Sequence, residues 1–471
     1  MMPETHSCKR VIALLTKLFR AAYIPVPDYW SSKFPGWKEP FLTEYLSREG
    51  KALRPLLLLA GFIIAKRQSE GQSGDPSEEE IQRLLDGHPT VMVVAGALER
   101  FHAMLMAQDD IFDGGTERRG GKALHLLFAD YARGKTFYRD DGCYLGGASP
   151  RAFVFDILLA STFELLQSLF RATNSRGVMV TPLAEFDMFA PLLSLSLRSY
   201  SDRGETVPLD YLFYQAQTMV EAIKMQIREI DHSDCPELLS LFTQMLQATL
   251  DGEWSDVEWA GGIEHLPGEK QIRRIYGRLE GMHNWPAPRM PSLEEILINQ
   301  FGKTSFYSIA FPLLAGMLLA NAELPKEIRQ PTEAFGAAFG CAFQINDDLL
   351  VTAADVSGKS ALADLARSSK TVVTVSVYEL LPAREKRRWL KLLEQCKNSE
   401  RARDEALRVI ERSGVRGHCT NLIAADLDRC RSAITALEST GCWTGLLDYL
   451  VREGVAWMDD ARVNPLEKGH A

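Results

Sequence analysis

The stretch of this chain best suited to chemistry is MAQDDIFDGGTERRGG, residues 106–121. Asp109 and Asp113 are four positions apart, so on a helix both carboxylates lie on one face, with Asp110 beside them. Two carboxylates that point into a cavity repel each other unless a cation lies between them. Mg²⁺ binds a few carboxylates and completes its coordination shell with phosphate oxygens. The spacing therefore predicts a magnesium site.

A solvated acidic helix end is the alternative interpretation of the D-D-x-x-D pattern. Two features of the surrounding sequence favour the metal site instead. The segment that leads into the aspartates is strongly apolar, and Arg118 and Arg119 follow after one short turn. Arginine side chains bind diphosphate oxygens through paired hydrogen bonds, and a metal-bound diphosphate needs such partners.

A second acidic pair closes another apolar helix, in the segment FQINDDLLV. Gln344 precedes Asp347 and Asp348 by one turn and shares a helix face with one of them. Packing alone seldom explains paired aspartates at the end of a buried helix, because burial of a charge is unfavourable. Two facing helices of this kind predict a clamp for metal ions and diphosphate.

Basic residues occur in small, separate clusters. These are Lys51 with Arg54, Arg118 with Arg119, Lys303 beside Thr304, and Lys359 with Lys370. Each cluster alone is typical of an ordinary surface, but together with two aspartate pairs they predict a site for two diphosphate groups. The formal net charge of −9 and the pI near 5.6 argue against a nucleic-acid binder driven by positive charge.

The elements that must position these residues are helices. Long segments carry apolar residues at three- and four-residue spacing and lack the alternation of strands. Several are apolar around most of their circumference, which is typical of helices inside a large bundle. We therefore predict a single all-α domain over residues 1–471. Loop insertions are expected near residues 66–80, 131–150, 174–210 and 260–292.

Cysteine usage and hydropathy bear on the compartment. Eight cysteines are scattered without a C-x-x-C pair, and the apolar part of the N-terminal stretch is short and interrupted by Lys17. We expect free thiols, no signal peptide and a cytoplasmic location. A membrane-spanning helix needs an uninterrupted apolar run of about 18 residues. The sequence has no such run, so we expect no membrane span.

The motifs, taken in order, resemble the trans-isoprenyl diphosphate synthase family, most closely its farnesyl diphosphate synthase branch. The blocks that carry this resemblance span residues 50–371. They are GKALRP, FHAMLMAQDDIFDGGTERRG, GEWSDV, KTSFYS, and FQINDDLLV with the later GKSALADLARSSKT. The pattern D-D-x-x-D alone is weak evidence, but its combination with R-R-G, K-T and F-Q-x-x-D-D is specific.

The resemblance implies an isoprenoid synthase helical bundle around a central cavity, and a short-chain prenyltransferase that works as a homodimer. Isopentenyl diphosphate would condense with an allylic diphosphate, dimethylallyl or geranyl, to give geranyl or farnesyl diphosphate for isoprene and terpenoid biosynthesis. Three Mg²⁺ ions bound with diphosphate, on Asp109, Asp113 and Asp347, would assist ionisation of the allylic substrate. Lys303 would be a further catalytic residue.

The resemblance also assigns substrate-binding residues. Isopentenyl diphosphate would be held by Lys51, Arg54, His102 and Arg119, the allylic diphosphate by Arg118, Lys303, Lys359 and Lys370, and the carbocation would lie beside Thr304 and Gln344. His102 precedes Asp109 by seven residues, or two helical turns, and therefore shares the aspartate face.

Three departures from the family pattern leave alternatives open. Val351 stands where many members have a third aspartate, Glu49 replaces a glycine, and Glu253 replaces a glutamine. The alternatives are a terpene synthase on the same fold and a non-catalytic subunit of a hetero-oligomeric prenyl synthase. The retained isopentenyl-site residues favour the prenyltransferase over the cyclase. The complete D-D-x-x-D motif and arginine pair argue against the non-catalytic subunit.

Product length is expected from the side chains below the first aspartate. Leu105, Met104 and Phe101 precede Asp109 by four, five and eight positions and would form the floor of the cavity. All three side chains are sizeable. We therefore expect a shallow cavity and a short product of ten or fifteen carbons.

Overall fold

The computed structural model describes residues 4–26, 40–48, 50–113, 115–132, 150–173, 235–259, 289–350, 365 and 369–459. In these ranges the chain is almost entirely helical, and the all-α prediction is confirmed. The one exception is a two-stranded antiparallel hairpin, which the sequence pattern did not predict. Most of the predicted insertions after residue 132 lie outside the described residues.

The elements follow one another along the chain with short connections wherever both ends are described. In chain order they are α1 (Glu4–Ala22), α2 (Pro40–Ser47), α3 (Leu53–Ser69), α4 (Glu78–Asp86), α5 (Pro89–Asp113), β1 (Glu117–Arg118), β2 (Gly121–Lys122), α6 (Leu124–Ala132), α7 (Pro150–Thr173), α8 (Pro236–Trp259), α9 (Leu293–Gln300), a π-helix (Phe301–Ala310), α10 (Phe311–Ala320), α11 (Lys326–Leu350), α12 (Val372–Leu380), α13 (Ala383–Cys396), α14 (Glu400–Arg412), α15 (Val415–Ser439) and α16 (Gly445–Asp459).

Several helices begin at a Ser or Thr whose hydroxyl accepts a backbone hydrogen bond from the first turn. These N-cap residues are Ser77, Ser292, Thr371 and Ser399. At Ser292 the side chain of Glu295 returns the bond to the N-cap backbone, which completes a capping box. Such caps satisfy N–H groups that a helix leaves without an internal partner, and they determine where each helix starts.

The chain divides into two compact units. The N-terminal unit comprises Lys9–Thr243 and Ala315–Leu324, and the C-terminal unit comprises Met1–Cys8, Gln244–Leu314 and Pro325–Ala471. The expectation of a single domain over the whole chain stays a prediction.

The N-terminal unit is built around α5, which packs against α3 and α7, while α6 packs against α2 and α7. Its core joins one face of α5 to α2, α6 and α7 through Leu42, Tyr45, Leu46, Ala103, Met104, Ala107, Ile111, Leu124 and Val154. Helix α3 is buried on nearly all sides, as its continuous apolar sequence predicts. This packing holds α5, the helix that carries the first aspartate motif.

The C-terminal unit is built around α11, which packs against α15 and the π-helix. Its core includes the fully buried Trp389, whose ring nitrogen donates to the backbone oxygen of Thr374 at 3.1 Å. Ile345 and Leu349 of α11 belong to the same core. The second aspartate pair therefore lies on a helix whose other side chains anchor it in this unit.

The segment 66–80, predicted to be a loop insertion, is largely ordered by helices. Helix α3 continues to Ser69 and α4 begins at Glu78, so only residues 70–77 connect them. Arg67 is buried, donates to the backbone oxygen of Gly74 at 2.8 Å and forms an ion pair with Glu80. A buried arginine needs such partners, and here they fasten the connection.

Among the residues that the structure describes, two helical stretches are long and apolar enough to cross a membrane by length and composition. They are Pro89–Ile111 and Leu293–Ala320, and in each of them 72% of an apolar 18-residue stretch is buried inside the protein. A core helix of a soluble protein has the same properties, because it is apolar and surrounded by other helices. The expectation of no membrane span stays a prediction.

Candidate active site

The first aspartate motif lies at the C-terminal end of α5, where Arg118 binds it. The Arg118 guanidinium donates from Nε to Asp110 Oδ1 at 2.9 Å and from Nη2 to Asp109 Oδ2 at 3.4 Å. Asp110 is 1% exposed, whereas the Asp109 side chain is 32% exposed. Burial raises the pKa of Asp110, and the bond from Arg118 opposes that shift. Of Asp113, the structure describes the backbone as the last residue of α5.

The two predicted diphosphate arginines lie in a tight hairpin, Arg118 in β1 and Arg119 in the turn between β1 and β2. Glu117 pairs with Lys122 and Arg118 with Gly121, which leaves Arg119 and Gly120 as the turn. Their φ angles are +49° and +75°, the signs required by a type I′ turn. Glycine adopts this conformation without cost, but an arginine does so only when other contacts hold it there. The local sequence R-G is consistent with the turn.

Arg119 is held by two contacts outside the hairpin. Its guanidinium donates to Glu99 Oε1 at 3.2 Å and to the backbone oxygen of Arg48 at 3.3 Å. Gly50 packs against the same guanidinium, since a Cβ atom there would lie 2.7 Å from Arg119 Cζ. The predicted isopentenyl-site residue Arg119 therefore has a defined position.

His102 is buried among the predicted cationic residues of the N-terminal unit. Burial, together with the positive charges of Arg54, Arg119 and Arg118, holds the pKa of His102 well below 6.5. His102 is consequently neutral near pH 7 and can exchange hydrogen bonds without adding charge. The structure thus brings His102 together with Arg54, Arg118 and Arg119, and all four are residues that the sequence assigned to substrate. Lys51, the remaining predicted substrate residue of the N-terminal unit, is exposed just before α3.

We expect the buried, neutral His102 to make stability sensitive to acid. As the pH falls through 6.5 the unfolded chain takes up a proton at this residue but the folded protein does not, so the free energy of unfolding falls. His102→Gln removes this titration and should reduce the loss between about pH 7 and about pH 5 by roughly 2 kcal/mol. Chemical denaturation at several pH values measures the difference. Identical pH profiles for the two proteins would show that His102 titrates normally.

The residues at the first motif fit a magnesium ion that shares its shell with substrate. Asp110 Oδ2 is buried and has no hydrogen-bond partner within the described ranges. Across those ranges, no three His, Cys, Asp or Glu side chains are grouped closely enough to hold a metal ion alone. Mg²⁺ typically takes one or two carboxylates and obtains its other ligands from phosphate and water. The carboxylate oxygens of Asp109 and Asp110 are potential metal ligands of this kind.

In the C-terminal unit, Lys303 and Thr304 lie in the π-helix. The Lys303 ammonium donates to Asp256 Oδ2 at 2.8 Å, and Asn299 donates to Asp256 Oδ1 at 2.8 Å. Asp256 was not among the predicted site residues, although it belongs to the quoted GEWSDV block. π-Helical segments are rare and are often found at functional sites. The Asp256 carboxylate on α8 therefore orients the ammonium group of Lys303, the predicted catalytic lysine.

The close approach of α8 to the π-helix depends on Gly252. A Cβ atom on Gly252 would lie 2.6 Å from Lys303 Cβ and 2.9 Å from its backbone nitrogen. We expect Gly252→Ala to lower the free energy of unfolding by about 1–3 kcal/mol and to displace Lys303. Gly417→Ala is the matched control, because Gly417 lies in α15 with no heavy atom near its missing Cβ. It should be neutral or stabilise by up to about 1 kcal/mol. Equal effects in thermal unfolding would contradict the predicted clash.

The two aspartates of the second pair differ in environment. Asp347, the predicted metal ligand, is exposed, whereas Asp348 is buried. Asp348 accepts bonds from Gln300 at 2.9 Å, from the backbone N–H of Val372 at 2.9 Å and from Gln344 at 3.1 Å. Burial raises the pKa of Asp348 to about 7 despite these bonds. Asp348 therefore ties α11 to the start of α12.

The remaining predicted residues are placed only in part. Gln344 shares a face with Asp348 and donates its amide to that carboxylate. Lys370 is half-buried just before α12, and burial together with nearby Lys397 lowers its pKa. Lys359, Glu49 and Val351 lie outside the described residues, as does the side chain of Glu253. The roles assigned to these residues stay predictions.

The three residues predicted to form the cavity floor lie in different environments. Met104 is fully buried in the core cluster with α2, α6 and α7, so it packs between helices. Phe101 is also buried, at 2% exposure, and Leu105 is half-buried. Of the three predicted floor residues, Met104 is thus the one whose packing is explained by the helical core.

Sequence reasoning missed residues that act on the site through other residues. Glu99 orients Arg119, Asp256 orients Lys303, and Asp348 fixes α12. For Glu99 the available signal is its spacing of three from His102, which places it on the same face of α5. For Asp256 the signal is its position in GEWSDV, one of the blocks that carry the resemblance.

Comparison with known protein families gives one match. The family model described as polyprenyl synthetase matches residues 209–410. This range contains the second aspartate pair, Lys303, Thr304, Gln344, Lys359 and Lys370, whereas the Asp109 motif precedes it. No curated protein sequence matches the chain significantly.

The fold is similar to those of solved prenyl synthases. Geranylgeranyl pyrophosphate synthase from Corynebacterium glutamicum, complexed with isoprenyl diphosphate and magnesium, superposes with a TM-score of 0.52 at 16% identity, covering 97% of this chain and 99% of that one. The geranylgeranyl pyrophosphate synthetase of Pyrococcus horikoshii gives 0.54 at 17% identity, with coverages of 95% and 98%. T. brucei farnesyl diphosphate synthase complexed with risedronate gives 0.54 at 14% identity, with coverages of 96% and 98%.

Sequence and fold agree on the class of protein. Identities this low establish the all-helical isoprenoid synthase fold alone, and the family match over residues 209–410 supports prenyltransferase activity. Neither distinguishes the farnesyl branch from the geranylgeranyl branch. Over residues 209–410 the chain is similar to the polyprenyl synthetases, and its fold is that of the isoprenoid synthases, in agreement with the predicted resemblance to the trans-isoprenyl diphosphate synthase family.

Proposed function

We propose that the protein condenses isopentenyl diphosphate with an allylic diphosphate, dimethylallyl or geranyl, to give geranyl or farnesyl diphosphate. One observation carries the proposal. Arg118 bridges the carboxylates of Asp109 and Asp110 while Arg54 and Arg119 flank the neutral His102. Paired carboxylates next to several guanidiniums suit metal-bound diphosphate better than they suit any neutral substrate.

Each residue then has a physical task. Asp109 and Asp113 would hold magnesium, which when bound neutralises charge on the departing diphosphate, while Asp110 beside them holds Arg118. The allylic C–O bond breaks, the double bond of isopentenyl diphosphate forms the new C–C bond, and the resulting cation loses a proton to the released diphosphate. Arg54, His102 and Arg119 orient isopentenyl diphosphate, and the Lys303 ammonium adds positive charge for the allylic diphosphate.

The cation requires a site without competing nucleophiles. His102 is neutral, and because it is only 7% exposed its ring has little contact with bulk water. Thr304 and Gln344 would provide dipoles rather than charges beside the cation. A site that stabilises charge through fixed dipoles and excludes water needs no protein nucleophile.

The solved structures support this substrate class and metal. The C. glutamicum synthase binds isoprenyl diphosphate and magnesium, and the T. brucei protein of similar fold is a farnesyl diphosphate synthase. We propose the same ligands here, with three Mg²⁺ ions shared among Asp109, Asp113, Asp347 and bound diphosphate. We also propose a homodimer, and a cytoplasmic location because the seven described cysteines are free thiols.

The second candidate is a terpene synthase on the same fold. Val351 favours it, because the second motif lacks a third carboxylate for metal. A cyclase has no second diphosphate to bind, however, and the cluster of Arg54, His102 and Arg119 would then have no ligand. The retained cluster supports the prenyltransferase.

Incubation of the purified protein with Mg²⁺ tests the proposal. Isopentenyl diphosphate is supplied with dimethylallyl, geranyl or farnesyl diphosphate, and both aqueous and volatile products are analysed. We expect geranyl or farnesyl diphosphate. A volatile terpene formed without isopentenyl diphosphate would establish the cyclase, and a twenty-carbon diphosphate would overturn the predicted chain length. Absence of any product would favour the non-catalytic subunit.

A further inference from the structure

We propose that Arg48 is a positioning residue for the diphosphate site, because it braces the hairpin that carries Arg118 and Arg119. This inference rests on the proposed function, since it assigns a task to a residue next to the diphosphate arginines. Arg48 lies at the end of α2, outside every motif identified in the sequence. All of the contacts involved lie within the N-terminal unit.

Arg48 is itself firmly held. Its Nε and Nη2 atoms donate to the two carboxylate oxygens of Glu44, each at 2.9 Å, in a bidentate pair one helical turn apart. The guanidinium also lies over the ring of Tyr45, at 5.1 Å from its centroid. The Arg48 side chain is only 9% exposed. A planar guanidinium fixed on two sides has little remaining freedom.

The remaining nitrogen of the same guanidinium, Nη1, contacts the hairpin. Nη1 donates to the backbone oxygens of Arg118 at 2.9 Å and Lys122 at 2.8 Å, which lie on the two different strands. Gly121 leaves the space for this contact, because a Cβ atom there would lie 2.6 Å from Arg48 Cζ. One side chain therefore fastens both strands of the hairpin to α2.

The hairpin needs such a brace. It has only two residue pairs, and isolated two-stranded hairpins are marginally stable in water. Its turn also keeps Arg119 at a φ of +49°, a conformation that costs about 1–3 kcal/mol unless the surroundings enforce it. Loss of the brace would allow the turn to relax and would move both guanidiniums away from the positions that bind diphosphate.

The test compares Arg48→Met with Lys122→Met. Both remove one positive charge next to the hairpin, but Lys122 pairs through its side chain with Asp130 and contributes only its backbone oxygen to the brace. We expect Arg48→Met to raise the KM and the calorimetric Kd of isopentenyl diphosphate about tenfold while kcat changes less than about threefold. Lys122→Met should leave these constants within about twofold. Arg48→Lys retains the charge without the planar fork and should resemble Arg48→Met.

A double variant separates positioning from a general structural role. If Arg48 acts through Arg119, the Kd of Arg48→Met combined with Arg119→Met should equal that of Arg119→Met within about twofold. Multiplying effects would overturn the inference, and so would equal losses in Arg48→Met and Lys122→Met. Should Arg48→Met fail to fold, Glu44→Gln removes the anchor of Arg48 at an exposed position and should raise the same Kd about threefold. An unchanged Kd in that variant would also overturn the inference.

Failure of the proposed function is recognised separately. A wild-type protein that binds isopentenyl diphosphate but forms no product would overturn the prenyltransferase assignment, and the calorimetric comparison would still decide the role of Arg48. A wild-type protein that binds neither isopentenyl diphosphate nor inorganic diphosphate would overturn both.

Discussion

Asp109→Asn should lower kcat for prenyl transfer by about 10²–10³-fold while the protein stays folded. The Asp109 side chain is one-third exposed and its bond to Arg118 is long, at 3.4 Å, so little structure depends on it. Its carboxylate, in contrast, would hold the metal that neutralises charge on the departing diphosphate. Loss of a metal ligand removes several kcal/mol of charge stabilisation from the transition state, and about 1.4 kcal/mol corresponds to one factor of ten.

Steady-state kinetics at saturating substrates, with Mg²⁺ varied, measures this effect. Asp130→Asn is the matched control, because Asp130 is an exposed carboxylate on the neighbouring helix α6 and pairs with Lys122. It should change kcat by less than about twofold, as expected for a surface ion pair. Circular dichroism and thermal unfolding should be unchanged in both variants. Full activity of Asp109→Asn would mean that the first motif does not hold the metal.

Arg100→Met should lower the free energy of unfolding by about 3–5 kcal/mol, the largest stability effect that we expect from one substitution. Arg100 lies on α5, and its Nε donates to both carboxylate oxygens of Glu164 on α7, at 3.0 and 2.9 Å. A further donor reaches the backbone oxygen of Ile24. Both charged side chains are under a tenth exposed, so the substitution leaves an uncompensated carboxylate inside the protein.

A second substitution removes the Glu164 carboxylate, which Arg100→Met leaves without its arginine partner. Arg100→Met combined with Glu164→Leu should recover most of the loss, because an apolar pair of similar volume can replace a buried ion pair. Arg452→Met is the control, since Arg452 is exposed and pairs with Asp448 one turn away; it should cost less than about 1 kcal/mol. Equilibrium denaturation measures all three. A double variant as unstable as the single one would show that the Ile24 contact, not the buried charge, dominates.

The helices and the chemical motifs follow from local sequence. Apolar spacing over α5, α7, α8 and α11 predicts these helices because a helix repeats every few residues regardless of its surroundings. The spacing of His102, Asp109 and Asp113 places them on one helix face for the same reason. The class of fold and the family resemblance could therefore be read from the sequence, whereas the roles of the candidate residues stay predictions.

The environment of each motif residue could not be read in the same way. Asp109 and Asp110 are neighbours in an acidic run, as are Asp347 and Asp348, yet one member of each pair is buried and bonded while the other reaches solvent. The bonding partners come from distant segments, namely Arg118 of the hairpin and the backbone N–H of Val372 in α12. Local pattern carries no information about such partners.

The same limit explains the residues that sequence reasoning missed. Arg48 is an unremarkable cation in sequence, but α2 brings it against the carbonyls of Arg118 and Lys122, 70 and 74 positions later. Asp256 and Lys303 are 47 positions apart and meet because Gly252 lets two helices approach closely. Periodicity and spacing therefore established which residue types this chain offers for diphosphate chemistry. Packing between distant segments determined which of them are charged, buried or held in place, because those properties depend on neighbours in space.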